Sequence, residues 1–121
     1  MAGSASTITY KEHSSIKRVT IEWTSDNSTQ AVTAVTKAID GKILRVVTDP
    51  GSPAPAAYNL KLNDEHGIDI AGGGLLTRHA TNTEVDAPTD GENAVSGKLS
   101  AVITNAGATT SRQGTIYIYY R

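Results

Sequence analysis

Short runs in which apolar and polar residues alternate, each closed by a turn signal, constrain this chain more than any other feature. In residues 16–24, Val19, Ile21 and Trp23 share one face and Arg18, Thr20 and Glu22 the other. Residues 58–62 repeat the pattern, with Tyr58, Leu60 and Leu62 against Asn59 and Lys61. So do residues 99–104, with Leu99, Ala101 and Ile103 set against Ser100 and Val102. Residues 115–121 place Ile116, Ile118 and Tyr120 on one face and Tyr117 and Tyr119 on the other. A period of two is the signature of a half-buried strand. Residues 43–48 are nearly all apolar and read as a central strand, and the β-branched residues of 30–38 favour a strand. A helix is the alternative for 30–38, because Ala and Lys are also present. Roughly six to eight short strands at fairly regular spacing give an all-β fold, a small antiparallel β-sandwich or barrel.

The punctuation follows from turn chemistry. Residues 25–28 form a turn, and Asn27-Ser28-Thr29 is read as part of it rather than as a glycosylation acceptor. Asp40-Gly41 signals a hairpin. Residues 49–56 contain Pro50, Pro53 and Pro55 and are expected outside any sheet. Asn63 to Gly67 is a turn, Ile68 and Ile70 begin a partner strand, and this hairpin ends at Gly72-Gly73-Gly74. Residues 77–93 read as one long polar surface loop. Residues 1–15 lack periodicity and are expected as a flexible, extended N-terminal arm, leaving residues 16–121 as a single β domain.

The chain has 121 residues, suited to one domain, and its 38% hydrophobic content includes no Phe. The core must therefore come from Val, Ile, Leu, Ala, Tyr and Trp23, and so thin a core points to added stability from a partner or from self-association. With no Cys, disulfides and thiolate chemistry are excluded. A net charge of −1 with scattered basic residues leaves no polyanion footprint, so no nucleic-acid partner is expected. No apolar run approaches the roughly 20 residues that span a bilayer, and residues 1–10 do not read as a secretory signal.

Few residues invite chemistry. The Gly72–Gly74 run lacks the Lys-Ser or Lys-Thr of a phosphate loop and is read as a bulge. Asp64, Glu65, His66 and Asp69 crowd one turn, but their spacing fits no calcium loop, so a solvated tip is expected, with no metal and no cofactor. No nucleophile elbow is present, and no enzymatic activity is expected. Tyr117, Tyr119 and Arg121 are candidate interface residues, because tyrosine and arginine are enriched where proteins meet. Arg78 and His79, on the polar stretch after the glycines, join them. An alternative use of Trp23 or the Tyr117 and Tyr119 pair is a carbohydrate-stacking platform, as in an adhesin-like module.

Residues 53–84 resemble a group of short tailed-bacteriophage virion proteins. The likeness lies in a proline-containing loop, the strand Tyr58-Asn59-Leu60-Lys61-Leu62, the turn Asp64-Glu65-His66-Gly67-Ile68-Asp69, the glycine segment 72–74 and the polar stretch from Arg78 to Glu84. A strand ending in Asn105-Ala106-Gly107, followed by a Tyr/Ile strand ending at Arg121, extends it. The chain departs from that pattern in an extra glycine and in Leu75-Leu76. The resemblance implies a non-enzymatic structural protein of the virion, most simply a capsid decoration or cement protein. It would be made in the bacterial cytoplasm and bound to the major capsid protein as a homo-oligomer, a trimer by preference. A neck, tail or baseplate component is the alternative within the same reading.

Overall fold

The computed structural model describes residues 4–12, 15–52, 55, 57–70, 75, 78, 83–86, 94–107 and 111–121. Among these, every regular element is a strand, and every strand pair is antiparallel. The strands are β1 (Ala5–Lys11), β2 (Lys17–Thr24), β3 (Val32–Ala38), β4 (Gly41–Pro50), β5 (Asn59–Asn63), β6 (Glu84–Asp86), β7 (Ala94–Val95), β8 (Lys98–Thr104) and β9 (Gln113–Tyr120). The larger sheet runs β1-β2-β9-β4-β6, with β7 on the start of β4, and the smaller runs β3-β8-β5. The chain is thus a sandwich-like, all-β fold.

Alternation decides which face of each sheet is covered. Val19, Ile21 and Trp23 of β2 and Ile116, Ile118 and Tyr120 of β9 point inward and are buried. Leu60 and Leu62 of β5 meet them from the smaller sheet, as do Leu99, Ala101 and Ile103 of β8. Trp23 and Tyr58 are the largest fully buried side chains, and their ring centroids lie 5.3 Å apart. Trp23 is paired with Gly114 across the β2–β9 ladder. A Cβ at Gly114 would lie 2.5 Å from the indole Cζ2, so the ring occupies the space a side chain there would need.

Several elements depart from the reading of the sequence. The segment 30–38 is the strand β3 and not a helix. Asp40-Gly41 makes no hairpin, because β3 and β4 belong to different sheets. The Asp40 carboxylate instead accepts the Gly97 backbone N–H at 2.9 Å, at the turn before β8. Pro50 is the last residue of β4, opposite Gly114, at a strand end where a missing N–H costs the ladder least. The partner strand expected from Ile68 is a single bridge, Asn63 to Asp69. Beyond it, Ile70 N–H donates to Leu62 O, Leu60 N–H to Leu75 O, and Arg78 N–H to Tyr58 O. From Leu62 to Leu60 two residues of β5 therefore match five on the returning chain, and from Leu60 to Tyr58 two match three, a register that a regular ladder cannot supply. The glycines 72–74, read as a bulge, lie outside the described residues. Within the expected loop 77–93, Glu84–Asp86 forms β6 on β4.

The flexible arm is the largest difference. Residues 5–11 pair residue for residue with β2, from Ala5 opposite Thr24 to Lys11 opposite Arg18. They are extended, but they form the edge strand of the larger sheet, so the sheet crosses the boundary placed at residue 15. Only Ile8 and Tyr10 of β1 pack against the core, so the alternation of Thr7 to Lys11 offers just two apolar residues to read.

Two substitutions test this packing. Leu60 has no exposed surface, and Leu60→Ala should cost roughly 2–5 kcal/mol in chemical denaturation; an unchanged midpoint would mean that β5 does not face the core. Gly114→Ala adds a single methyl yet must displace the Trp23 ring. It should cost about 1–3 kcal/mol and alter the tryptophan emission, whereas a silent substitution would place the indole elsewhere.

Candidate functional site

Among the described residues, the aspartates Asp26, Asp40, Asp64 and Asp69 at the turns are engaged in holding the backbone. The Asp64 carboxylate accepts N–H groups from His66 at 2.8 Å and Ile68 at 3.0 Å. The Ile68 bond is the main reason its carboxyl is held below the ordinary aspartate range. Asp69 accepts the Leu62 N–H at 3.1 Å. The turn that could have offered cation ligands thus directs carboxylates at its own backbone. Among the described residues, no group of three or more His, Asp or Glu converges as a metal site. Asp26 does the same work at the β2–β3 turn, accepting from Ser28 and Thr29, and the Ser28 N–H chiefly lowers its pKa.

The two flanks of the sandwich are tied by charge. In β3 a bulge falls between Val35 and Ala38, where three steps on β3 match two on β8. The buried Thr36 hydroxyl accepts the Leu99 N–H at 3.1 Å and so repairs the ladder. The Lys37 N–H turns outward and donates to the Tyr10 hydroxyl of β1 at 2.8 Å. The Lys37 ammonium lies 4.6 Å from the Tyr10 ring centroid and pairs with Glu12. That hydrogen bond lowers the Glu12 pKa and raises that of Lys37. On the opposite flank, Arg78 Nε lies 3.7 Å from Glu84 Oε1 of β6. Only 12% of the Arg78 side chain is exposed, so this candidate interface residue joins the two sheet edges and is not displayed to solvent.

Tyr117 and Tyr119 occupy the outer face of the larger sheet and are half-buried. Register places Thr20 and Val47 beside Tyr117, and Arg18 and Arg45 beside Tyr119. The Arg18 guanidinium lies 5.6 Å from the Tyr117 ring centroid and that of Arg45 4.6 Å from the Tyr119 ring centroid. Arg121 is exposed at the end of β9 and exchanges backbone hydrogen bonds with Lys42. The fold therefore brings Tyr117, Tyr119 and Arg121 together on one face and places Arg78 elsewhere, while His79 lies outside the described residues. Sequence reasoning missed Arg18 and Arg45. The alternation of β2 did put Arg18 on the outward face, but nothing local showed that β9 would be its neighbour. Val85, directly opposite Val47, is 58% exposed and extends the face as an apolar patch. At the other end of the same sheet an open groove of about 180 Å³ is bordered by Thr7, Glu22, Thr24, Gln113 and Thr115. Among the described residues, Glu22 is the ionisable one on its border.

No family model, no curated protein and no solved structure matches this chain.

The flank tie has a pH signature. The lowered Glu12 pKa means that its stabilisation is complete above the ordinary glutamate pKa and is lost as pH falls through the lowered value. In a carboxyl NMR titration, Lys37→Met should raise the Glu12 midpoint toward the ordinary value. An identical midpoint in both proteins would show that the pair does not form in solution.

Proposed function

We propose that this chain is a non-enzymatic structural protein of a bacteriophage virion, acting as a decoration or cement protein on the capsid shell. The observation that carries the reading is the outer face of the larger sheet. It is broad, made of four adjacent strands, and it displays Tyr117, Tyr119, Val47 and Val85 among arginines. Aromatic and apolar residues framed by arginine are the composition of a protein-binding surface. The likeness of residues 53–84 to tailed-phage virion proteins supplies the direction, and the ties at both flanks supply a module able to sit on a lattice. Repetition over a symmetric shell converts modest contacts into strong retention, and a homo-oligomer of the chain, a trimer by preference, would multiply them further.

The carbohydrate-stacking alternative loses its main support. Trp23 is 1% exposed and offers no platform, and guanidinium groups already lie over the rings of Tyr117 and Tyr119.

Mass spectrometry of purified particles from the phage that encodes the chain should detect it, and particles made without it should lose their contents at lower temperature. Electron density of labelled particles should place it on the shell. Density at the neck or tail would move the site within the virion, and absence from particles would end the virion reading.

A further inference from the structure

The basic residues that are scattered along the sequence are gathered by the fold. At one end of the larger sheet, register aligns Lys11 of β1, Arg18 of β2, Tyr119 of β9 and Arg45 of β4 in a single row. Lys42 and Arg121, paired through their backbones, form the next outward-facing row. Five cations thus lie on one face around Tyr119. Three strand spacings separate Lys11 from Arg45, about 14 Å, and two residues separate the rows, about 7 Å. Neighbouring charges are therefore closer than or comparable with the Debye length of about 8 Å at physiological salt, and they act as one positive field.

Among the described residues, four of these five cations are not neutralised from within. Lys11, Arg18, Arg45 and Arg121 have no carboxylate partner among the described residues. Arg18 Nε is shielded from water and has no hydrogen-bond acceptor. Arg18 and Arg45 lie over tyrosine rings, an arrangement that fixes the guanidinium plane while leaving its N–H fork open to a carboxylate. The outer face of the smaller sheet is less basic: its rows of Thr33, Val102 and Lys61 and of Val35, Ser100 and Asn63 hold one cation, with Lys98 beyond them at the start of β8.

We propose that this cationic, tyrosine-backed end of the larger sheet docks onto an acidic surface of a protein partner, with Arg18 and Arg45 receiving its carboxylates and the strip Tyr117, Val47 and Val85 forming the apolar centre of the contact. A second copy of the chain is a poor occupant. The described acids on the same face are Glu22 and Asp49, each four residues along its strand from Arg18 or Arg45, too few to match Lys11, Arg18, Arg45 and Arg121. Single-stranded nucleic acid is also disfavoured, because bases stack on open rings and these rings are covered by guanidinium groups. The inference rests on the virion reading for the identity of the partner, but its chemistry is testable alone.

The test titrates the isotope-labelled full chain with poly-L-glutamate and, separately, with oligo-thymidylate, following amide shifts and heats at low and high salt. Poly-L-glutamate should shift signals of Arg18, Arg45, Tyr117, Tyr119 and Arg121, with affinity falling as salt rises. The double variant Arg18→Glu/Arg45→Glu should weaken binding about tenfold or more. Lys61→Glu, on the smaller sheet, should leave it unchanged. Arg18→Lys/Arg45→Lys keeps the charge and removes the fork; it should melt like the parent yet bind more weakly. No binding of poly-L-glutamate, shifts at another face, or equal loss in Lys61→Glu would overturn the proposal. Tighter binding of oligo-thymidylate through the same residues would replace the acidic protein with a nucleic acid. Binding of poly-L-glutamate here, with no uptake by particles depleted of the protein, would keep the docking face and remove the virion reading. Uptake without poly-L-glutamate binding would do the reverse.

Discussion

The placement of Trp23 against Gly114 is the contact on which the rest of the sandwich depends. A chain without Phe has few ways to fill the space between two sheets, and here Trp23 and Tyr58 supply the largest buried volumes. The indole reaches the central strand β9 only because Gly114 has no Cβ, and it meets the Tyr58 ring at an interplanar angle of 60°. One ring thus couples β2, β9 and the entry to β5. The aliphatic residues Ile21, Ile116, Leu60 and Leu62 then need only complete a space whose depth the two rings have set.

An antiparallel sandwich leaves four edges, each a row of backbone groups open to pairing with another chain. Here two of them are drawn toward each other by side chains. The bulge in β3 directs the Lys37 N–H at Tyr10 of β1, and the Glu12 pair holds the Lys37 ammonium over the same ring. Arg78 and Glu84 perform the corresponding task beside β6. These charged groups lie on the flanks, away from the outer face of the larger sheet.

How much of this was legible depends on the range of the interaction responsible. The faces of β2, β5, β8 and β9 could be read because alternation is local, and their inward residues are those buried. The exposed pattern of β1 was not legible, since an edge strand needs few apolar residues and Ile8 and Tyr10 alone face the core. Asp40-Gly41 carried a hairpin signal, yet β3 and β4 separate because long-range burial, not turn chemistry, assigns each to its sheet. Arg78 looked exposed among polar neighbours, while its partner Glu84 and the Tyr58 carbonyl draw it inward. Tyr117 and Tyr119 were identifiable from their alternation. The arginines beside them were not, because the strand order β1-β2-β9-β4 brings positions 18, 45 and 119 together from distant parts of the chain.

That strand order also fixes a sequence of events. β9, latest in the chain, is the middle of the larger sheet, and it pairs with β2 from Lys17 opposite Tyr120 to Thr24 opposite Gln113. During synthesis β2 and β4 must wait, each with an edge unsatisfied, until β9 leaves the ribosome and inserts between them. Contacts of such long sequence separation make folding slow, in the millisecond-to-second range typical of sandwiches. The larger sheet is therefore completed only after β9 has been made, and its outer face, which exists only once β9 is in place, cannot capture a partner before the fold is complete.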